Sequence, residues 1–274
     1  MKPEAERRHE IAPAKVNLAL HVRGKLADGR HAIETLVAFC LDGDRLGVED
    51  GDGIGLRGVS GPFADQLSDL EGNLVTRAAI ELAREAGING KAALQLDKRL
   101  PIAAGLGGGS ADAGAALRLL TAWWGIDPSH ASAVAPRLGS DVPACLLSMT
   151  CRGEGAGDEL RLVDDPSIAG TPVLLVNPGV QLSTGEVYGR WGGVDLGSLE
   201  GWRDGRNDLE AAALSLVPQI AEVLEWLRGQ PGAECVRMSG SGATCFALFA
   251  DDAARDEAAA SVRGQWWRLA TSLR

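Results

Sequence analysis

The chain has 274 residues, of which 45% are hydrophobic and 23% charged, and its formal net charge is −10. That is the balance of a globular protein with a core, and its acidity excludes a general nucleic-acid-binding surface. No stretch approaches the roughly 20 apolar residues of a membrane span, and the charged start Met1-Lys2-Pro3-Glu4 lacks an apolar signal core.

The expected location is therefore the cytoplasm, with neither membrane nor nucleic acid as partner. The five cysteines (Cys40, Cys145, Cys151, Cys235, Cys245) are odd in number and contain no C-x-x-C pair. Neither a disulfide framework nor a protein-held metal site is expected. The length allows one large or two modest domains.

Residues 1 to 10 read as a solvated leader. Ile11 to Val22 alternates partly and reads as a strand, with Pro13 near its start where proline is tolerated. Lys15 and Asn17 share one face of it, because side chains repeat with period two. On spacing alone Lys15 reads as an edge lysine. Asp28-Gly29 is a turn, followed by Arg30, His31 and an apolar run from Ile33 to Leu41. Asp42 to Pro62 reads as strands and tight turns. Gly53, Gly55 and Gly58 fit G-x-G-x-x-G, but Val59-Ser60-Gly61-Pro62 follows, so no helix opens there to receive a pyrophosphate.

Asn73 to Ala86 has the stripe of a helix, with Gly87 as its C-terminal stop. Ala92 to Leu96 alternates as a strand, and Lys98 and Arg99 lead from it toward an anion site whose mouth they are expected to line. Pro101, Ile102, Ala103, Ala104, Gly105, Leu106, Gly107, Gly108, Gly109, Ser110 and Ala111 then precede Asp112 and a helical run from Ala113 to Trp124. Four glycines in five residues let the backbone approach a ligand closely and adopt positive φ. Ser110 suits an N-cap, Asp112 suits the positive end of a helix dipole, and the amides there form an anion site. No Lys-Ser/Thr pair follows, so this is not Walker A. The ligand expected is a phosphate.

Farther on, Leu138-Gly139-Ser140-Asp141-Val142-Pro143 places Asp141 as a helix N-cap with Pro143 in the first turn. Gly153 to Asp165 is glycine-rich and charged and reads as the break between domains. Val173 to Val176 is a strand turned by Asn177-Pro178-Gly179. Glu210 opens one helix and Ile220 to Leu227 forms another. The last helix is expected to contain Trp266 and Trp267 as packing residues.

The stretch from Pro101 to Ala113 closely resembles the second motif of the GHMP kinases. Gly139-Ser140-Asp141-Val142-Pro143 resembles their Gly-Ser/Thr-Asp-x-Pro segment, and Arg237-Met238-Ser239-Gly240-Ser241-Gly242-Ala243 resembles their third motif. The resemblance implies an α+β, two-domain fold: an N-terminal domain with a left-handed β-α-β unit over 1–160, a C-terminal α/β sandwich over 161–274, and an active site in the cleft between them. It implies ATP and Mg²⁺ as cofactors and Lys15 and Asp141 as catalytic residues. Asn73 and Lys98 are implied to lie near the adenine, and residues 101–111 to hold phosphate.

Pro13-Ala14-Lys15-Val16-Asn17-Leu18, Asp28-Gly29-Arg30-His31 and Ser183-Thr184-Gly185-Glu186-Val187-Tyr188 resemble more narrowly the member of that family acting on a cytidine diphosphate-linked methylerythritol. This implies phosphorylation of its 2-hydroxyl in non-mevalonate isoprenoid synthesis. Asn17, Arg30, His31, Thr184, Tyr188, Gly240 and Gly242 are implied to contact that substrate. Arg30 stands where the family usually has Tyr. The competing readings are a GHMP kinase for another alcohol (mevalonate, homoserine or a sugar) and a non-catalytic nucleotide-binding regulator. A monomer or weak homodimer is expected.

Overall fold

The computed structural model describes residues 8–67 and 69–274. In chain order the elements are β1 (Arg8–Lys25), β2 (His31–Glu49), β3 (Ile54–Ser60), α1 (Leu74–Glu85), β4 (Ala92–Asp97), α2 (Gly108–Trp124), α3 (Pro128–Leu138), α4 (Val142–Leu147), β5 (Cys151–Glu154) and β6 (Glu159–Leu162). They continue with β7 (Pro172–Asn177), α5 (Thr184–Arg190), α6 (Glu210–Leu216), α7 (Gln219–Arg228), β8 (Ala233–Met238), β9 (Cys245–Phe249), α8 (Asp252–Ala260) and β10 (Trp267–Ser272). Mixed helices and two sheets are the α+β content expected of the fold.

Two compact units, each discontinuous in sequence, divide the chain. One comprises residues up to Ala14, Asp42–Ile102 and Gly107–Ser148; the other comprises Lys15–Leu41, Ala103–Leu106 and Met149–Arg274. Both long strands, β1 and β2, cross from one unit to the other, as does the glycine turn.

In the first unit, the second half of β2 pairs antiparallel with β4, and β4 pairs parallel with β3. Helix α1 connects β3 to β4, so β3-α1-β4 is a β-α-β unit. Asn73 caps α1 by accepting from the Val75 amide, and Val75, Ala78, Ala79 and Leu82 form its buried face. Leu46, Leu94, Leu96, Leu117, Leu120 and Val134 are buried in the same unit. Helix α3 went unforeseen in the sequence, although Asp127-Pro128 is a cap followed by proline at the helix start.

In the second unit, the first half of β2 pairs with β5, and β5 turns into β6. The stretch expected as a domain break thus contains a hairpin. A separate antiparallel sheet has the order β10-β7-β9-β8. Its core includes Leu174, Val176, Ile220, Leu224, Phe249 and Trp266.

Three local expectations are corrected. Residues 8–10 are not leader but the start of β1; residues 1–7 lie outside the described residues. Trp266 and Trp267 are not helical. Helix α8 ends at Ala260, Trp267 opens β10, and Trp266 packs edge-on to Trp226 with ring centres 5.8 Å apart. The glycine helix also begins earlier than Ala113. Gly107, in the left-handed conformation at φ 62°, is its N-cap, so Ser110 and Asp112 lie inside the helix. Glycine reaches that φ without the Cβ penalty, which lets the helix start there.

Candidate active site

The glycine turn is held by its carbonyls. In the second unit, Ala103 O accepts from the Leu182 amide at 3.2 Å and Ala104 O from Thr244 at 3.1 Å. Gly105 O accepts from the Ser239 hydroxyl at 2.9 Å, and Leu106 O from the Lys15 amide at 3.0 Å. Four successive carbonyls are thereby occupied. Gly105 has φ 74°, and a Cβ there would collide with the carbonyls of Ser239 and Gly242. The third glycine-rich segment thus lies backbone to backbone on the turn. Asn207 braces that segment, its amide donating to Met238 O and Gly240 O, each at 2.8 Å. Thr184 and Ser241 share a hydroxyl hydrogen bond of 2.9 Å.

In the first unit, the turn opens into α2. The cap residue, Gly107, has no side chain to offer, and the amides of Gly108, Gly109 and Ser110 have no acceptor within the helix. Aligned peptide dipoles make this end positive. The arrangement suits phosphate oxygens, as the glycine pattern implied.

Beneath it lies a buried ionic triad. Lys98 Nζ donates to Asp44 Oδ2 at 2.5 Å and to Asp112 Oδ2 at 2.7 Å. A Cβ on Gly108 would sit 3.2 Å from that ammonium. Asp44 Oδ1 also accepts from the amides of Arg99 and Leu100, at 2.5 and 2.8 Å. The three side chains are at most 4% exposed, so the Lys98 ammonium is turned into the protein rather than toward the mouth of the turn. Burial opposes the Lys98 charge, but the two carboxylates outweigh it and raise its pKa. One ammonium serves two carboxylates, and burial, despite Lys98, pushes Asp112 up to about 7. Asp44 carried no sequence signal, because it lies over fifty residues from its partner.

Asp141 stands at the N-terminus of α4 with Pro143 in the first turn, but its side chain makes no capping hydrogen bond. Lys15 is 5% exposed and Asn17 3%. Asn17 Nδ2 donates to Thr35 Oγ1 at 2.8 Å, and Asn17 Oδ1 is buried without a hydrogen-bond partner.

At another place in the second unit, the His31 ring lies 4.7 Å from that of Tyr188, tilted by 34°. Trp191 meets His31 edge-on at 5.5 Å. His31 Nε2 is buried and unpartnered. Burial, aided by Lys25, holds the imidazole pKa below its ordinary value, favouring the neutral ring. Arg30 is held by Asp28 at 2.8 Å and Asp158 at 3.1 Å. Trp191 was missed; three residues beyond Tyr188, it lies one helical turn on.

Among the described residues no group of three or more His, Cys, Asp or Glu side chains is placed to hold a metal ion. No described helix is long and apolar enough to cross a membrane.

The sequence matches the family models for the GHMP kinases N terminal domain over residues 73–149 and the GHMP kinases C terminal domain over 189–267. A protein of Rhizorhabdus wittichii named 4-diphosphocytidyl-2-C-methyl-D-erythritol kinase is 51% identical over 97% of this chain and 94% of its own length. One of the same name from Novosphingobium aromaticivorans is 50% identical over 97% of this chain and 92% of its own. The crystal structure of a 4-(cytidine 5'-diphospho)-2C-methyl-D-erythritol kinase superposes with a TM-score of 0.83 at 32% identity, over 97% of this chain and 99% of that one. A homoserine kinase from Cytophaga hutchinsonii, at 19% identity and a TM-score of 0.69 over 100% and 96% of the two chains, shares the fold. The chain belongs to the GHMP kinases and, within them, to the family of 4-diphosphocytidyl-2-C-methyl-D-erythritol kinases.

Proposed function

We propose that the chain transfers the γ-phosphate of ATP to the 2-hydroxyl of 4-diphosphocytidyl-2-C-methyl-D-erythritol, in non-mevalonate isoprenoid synthesis. The observation that carries this is whole-length identity of 51% to a kinase of that name, joined to a glycine turn ending in uncapped helix amides. Phosphoryl transfer requires positioning and charge neutralisation more than covalent chemistry. Residues 101–111 hold the phosphates, and Asn73 and Lys98 flank the adenine. With its ammonium paired and its side chain buried, Lys98 supports that place from within the protein rather than by presenting its charge. Mg²⁺ would supply charge neutralisation at the phosphate oxygens, and Ser110 would be a contact for it.

Asp141 orients or deprotonates the acceptor hydroxyl, and Lys15 polarises it. His31 reads the cytosine edge while Tyr188 covers its face. Asn17, Thr184, Gly240 and Gly242 contact the rest of the substrate, and Arg30 borders the base from its ion pairs. The N-terminal kinase domain is assigned to residues 1–160 and the C-terminal one to 161–274; the two family matches fall on either side of that boundary. The enzyme is assigned to the cytoplasm as a monomer or weak homodimer, with no nucleic-acid or membrane partner.

The test is ADP release with MgATP and four alcohols: the cytidyl compound, mevalonate, homoserine and galactose. The cytidyl compound is expected to be preferred by at least 100-fold in kcat/KM. Comparable or better turnover of another alcohol overturns the substrate assignment.

A further inference from the structure

Asn17 presents an unsatisfied oxygen in a place with no water-facing alternative. The residue is 3% exposed, and its Oδ1 has no partner. A buried amide oxygen left unmet costs free energy, so a native structure that keeps one invites a ligand donor. A Cβ on Gly240 would lie 3.2 Å from this Oδ1, which therefore sits against the segment that packs on Gly105.

The orientation of the amide is set by one neighbour. Thr35 Oγ1 donates its single proton to Ala19 O at 2.7 Å. It can then only accept, and it does so from Asn17 Nδ2 at 2.8 Å. Turning the amide over would face two oxygens at each other. The Asn17 backbone is fixed as well, its amide donating to Ser239 Oγ at 3.2 Å. Thr35 is itself 3% exposed and lies on β2, where it pairs with Gly153 of β5.

We propose that Thr35 is a positioning residue: its hydroxyl locks the Asn17 side chain so that Oδ1, beside the Gly240 segment, is held as the acceptor for a hydroxyl of the alcohol substrate. This rests on the reading of the chain as an alcohol kinase. Thr35 touches no ligand; it acts through Asn17. A free amide spends part of its time with Nδ2 in that place, offering a donor to a group that is itself a donor.

The test is steady-state kinetics of Thr35→Val and Thr35→Ser, with both substrates varied and thermal unfolding measured in parallel. Thr35→Val keeps the shape but removes the acceptor. It is expected to raise KM for the alcohol about tenfold while leaving KM for ATP within twofold, and Thr35→Ser restores the wild-type value. Unchanged alcohol KM in a folded Thr35→Val variant overturns the proposal, as does an equal rise in both KM values. If Thr35→Val does not fold, Thr35→Cys, whose thiol is a weaker acceptor, takes its place with an expected intermediate alcohol KM. An alcohol KM for Thr35→Cys equal to wild type is then the contradicting result. Failure of the kinase reading is a separate outcome, seen as wild-type protein that phosphorylates no alcohol.

Discussion

Lys98 and Asp112 meet at 2.7 Å in a site that is almost completely buried, directly under the first residue of the glycine helix. Lys98 stands just beyond β4 and Asp112 in the first turns of α2. Their pairing ties together the two ends of the glycine-rich stretch. Asp44 tightens the same knot from β2 by accepting the Arg99 and Leu100 amides.

The triad carries more negative than positive charge, and Asp112 bears the consequence. Its pKa is raised to about 7, so the folded protein holds a proton there that the unfolded chain releases near 4. Where the folded state binds more protons, stability falls as pH rises. This contribution is therefore present below about 4 and lost progressively up to about 7. Asp112→Asn imitates the protonated form. Its melting temperature relative to wild type is expected to rise between pH 4.5 and 7.5, by roughly 2–4 °C per kcal/mol for a protein of this size. A pH-independent difference contradicts the assignment.

Removing the cation is the harsher change. Lys98→Met leaves two buried carboxylates without a counter-charge, and breaking such a network costs about 3–5 kcal/mol. Thermal unfolding in buffer at pH 7.5 is expected to drop by roughly 10 °C. A shift of less than about 2 °C would mean the triad opens to solvent.

Gly105 tests the backbone contact between the two glycine segments. Its φ of 74° is strained for alanine, and the new Cβ would strike the Ser239 and Gly242 carbonyls. Gly105→Ala is expected to cost at least about 2 kcal/mol and to weaken ATP binding at least tenfold in calorimetry. Wild-type ATP affinity in this variant would show that the turn tolerates displacement.

On the proposed reading, the aromatic group around His31 recognises the base. Burial lowers the imidazole pKa, so the ring stays neutral as pH falls through the ordinary histidine range. The unfolded chain takes up that proton first, so His31's stability contribution is present above about 6.5 and lost on acidification. KM for the cytidyl alcohol is expected to be level from pH 6.5 to 8 and to worsen only below. Tyr188→Ala removes a stacking face worth about 1–3 kcal/mol and is expected to raise that KM about tenfold. A KM that titrates with a midpoint above 6.5, in a way abolished by His31→Gln, contradicts the neutral ring.

How much was readable beforehand differs by kind of feature. Glycine runs and stripes are local, so the glycine turn, helix α1 and the strands β1, β4 and β7 were placed from the sequence. The start of α2 was misplaced because a left-handed Gly107, which has no side chain to cap with, starts the helix before Ser110. Lys98 was expected to face an anion, since nothing local reveals that Asp44 reaches it from β2. Trp267 read as helical because its partner is β7, nearly a hundred residues earlier. Thr35 escaped notice for the same reason: its significance lies in a hydrogen bond to another strand.

The most direct measurement is the structure of the product. Purified protein, ATP, Mg²⁺ and 4-diphosphocytidyl-2-C-methyl-D-erythritol are incubated and followed by phosphorus NMR. A new phosphomonoester signal coupled to the tertiary 2-position, appearing one for one with ADP and at least 100-fold more slowly with Asp141→Asn or Lys15→Met, is the predicted result. A phosphate on another hydroxyl, or undiminished product from both variants, would contradict the account.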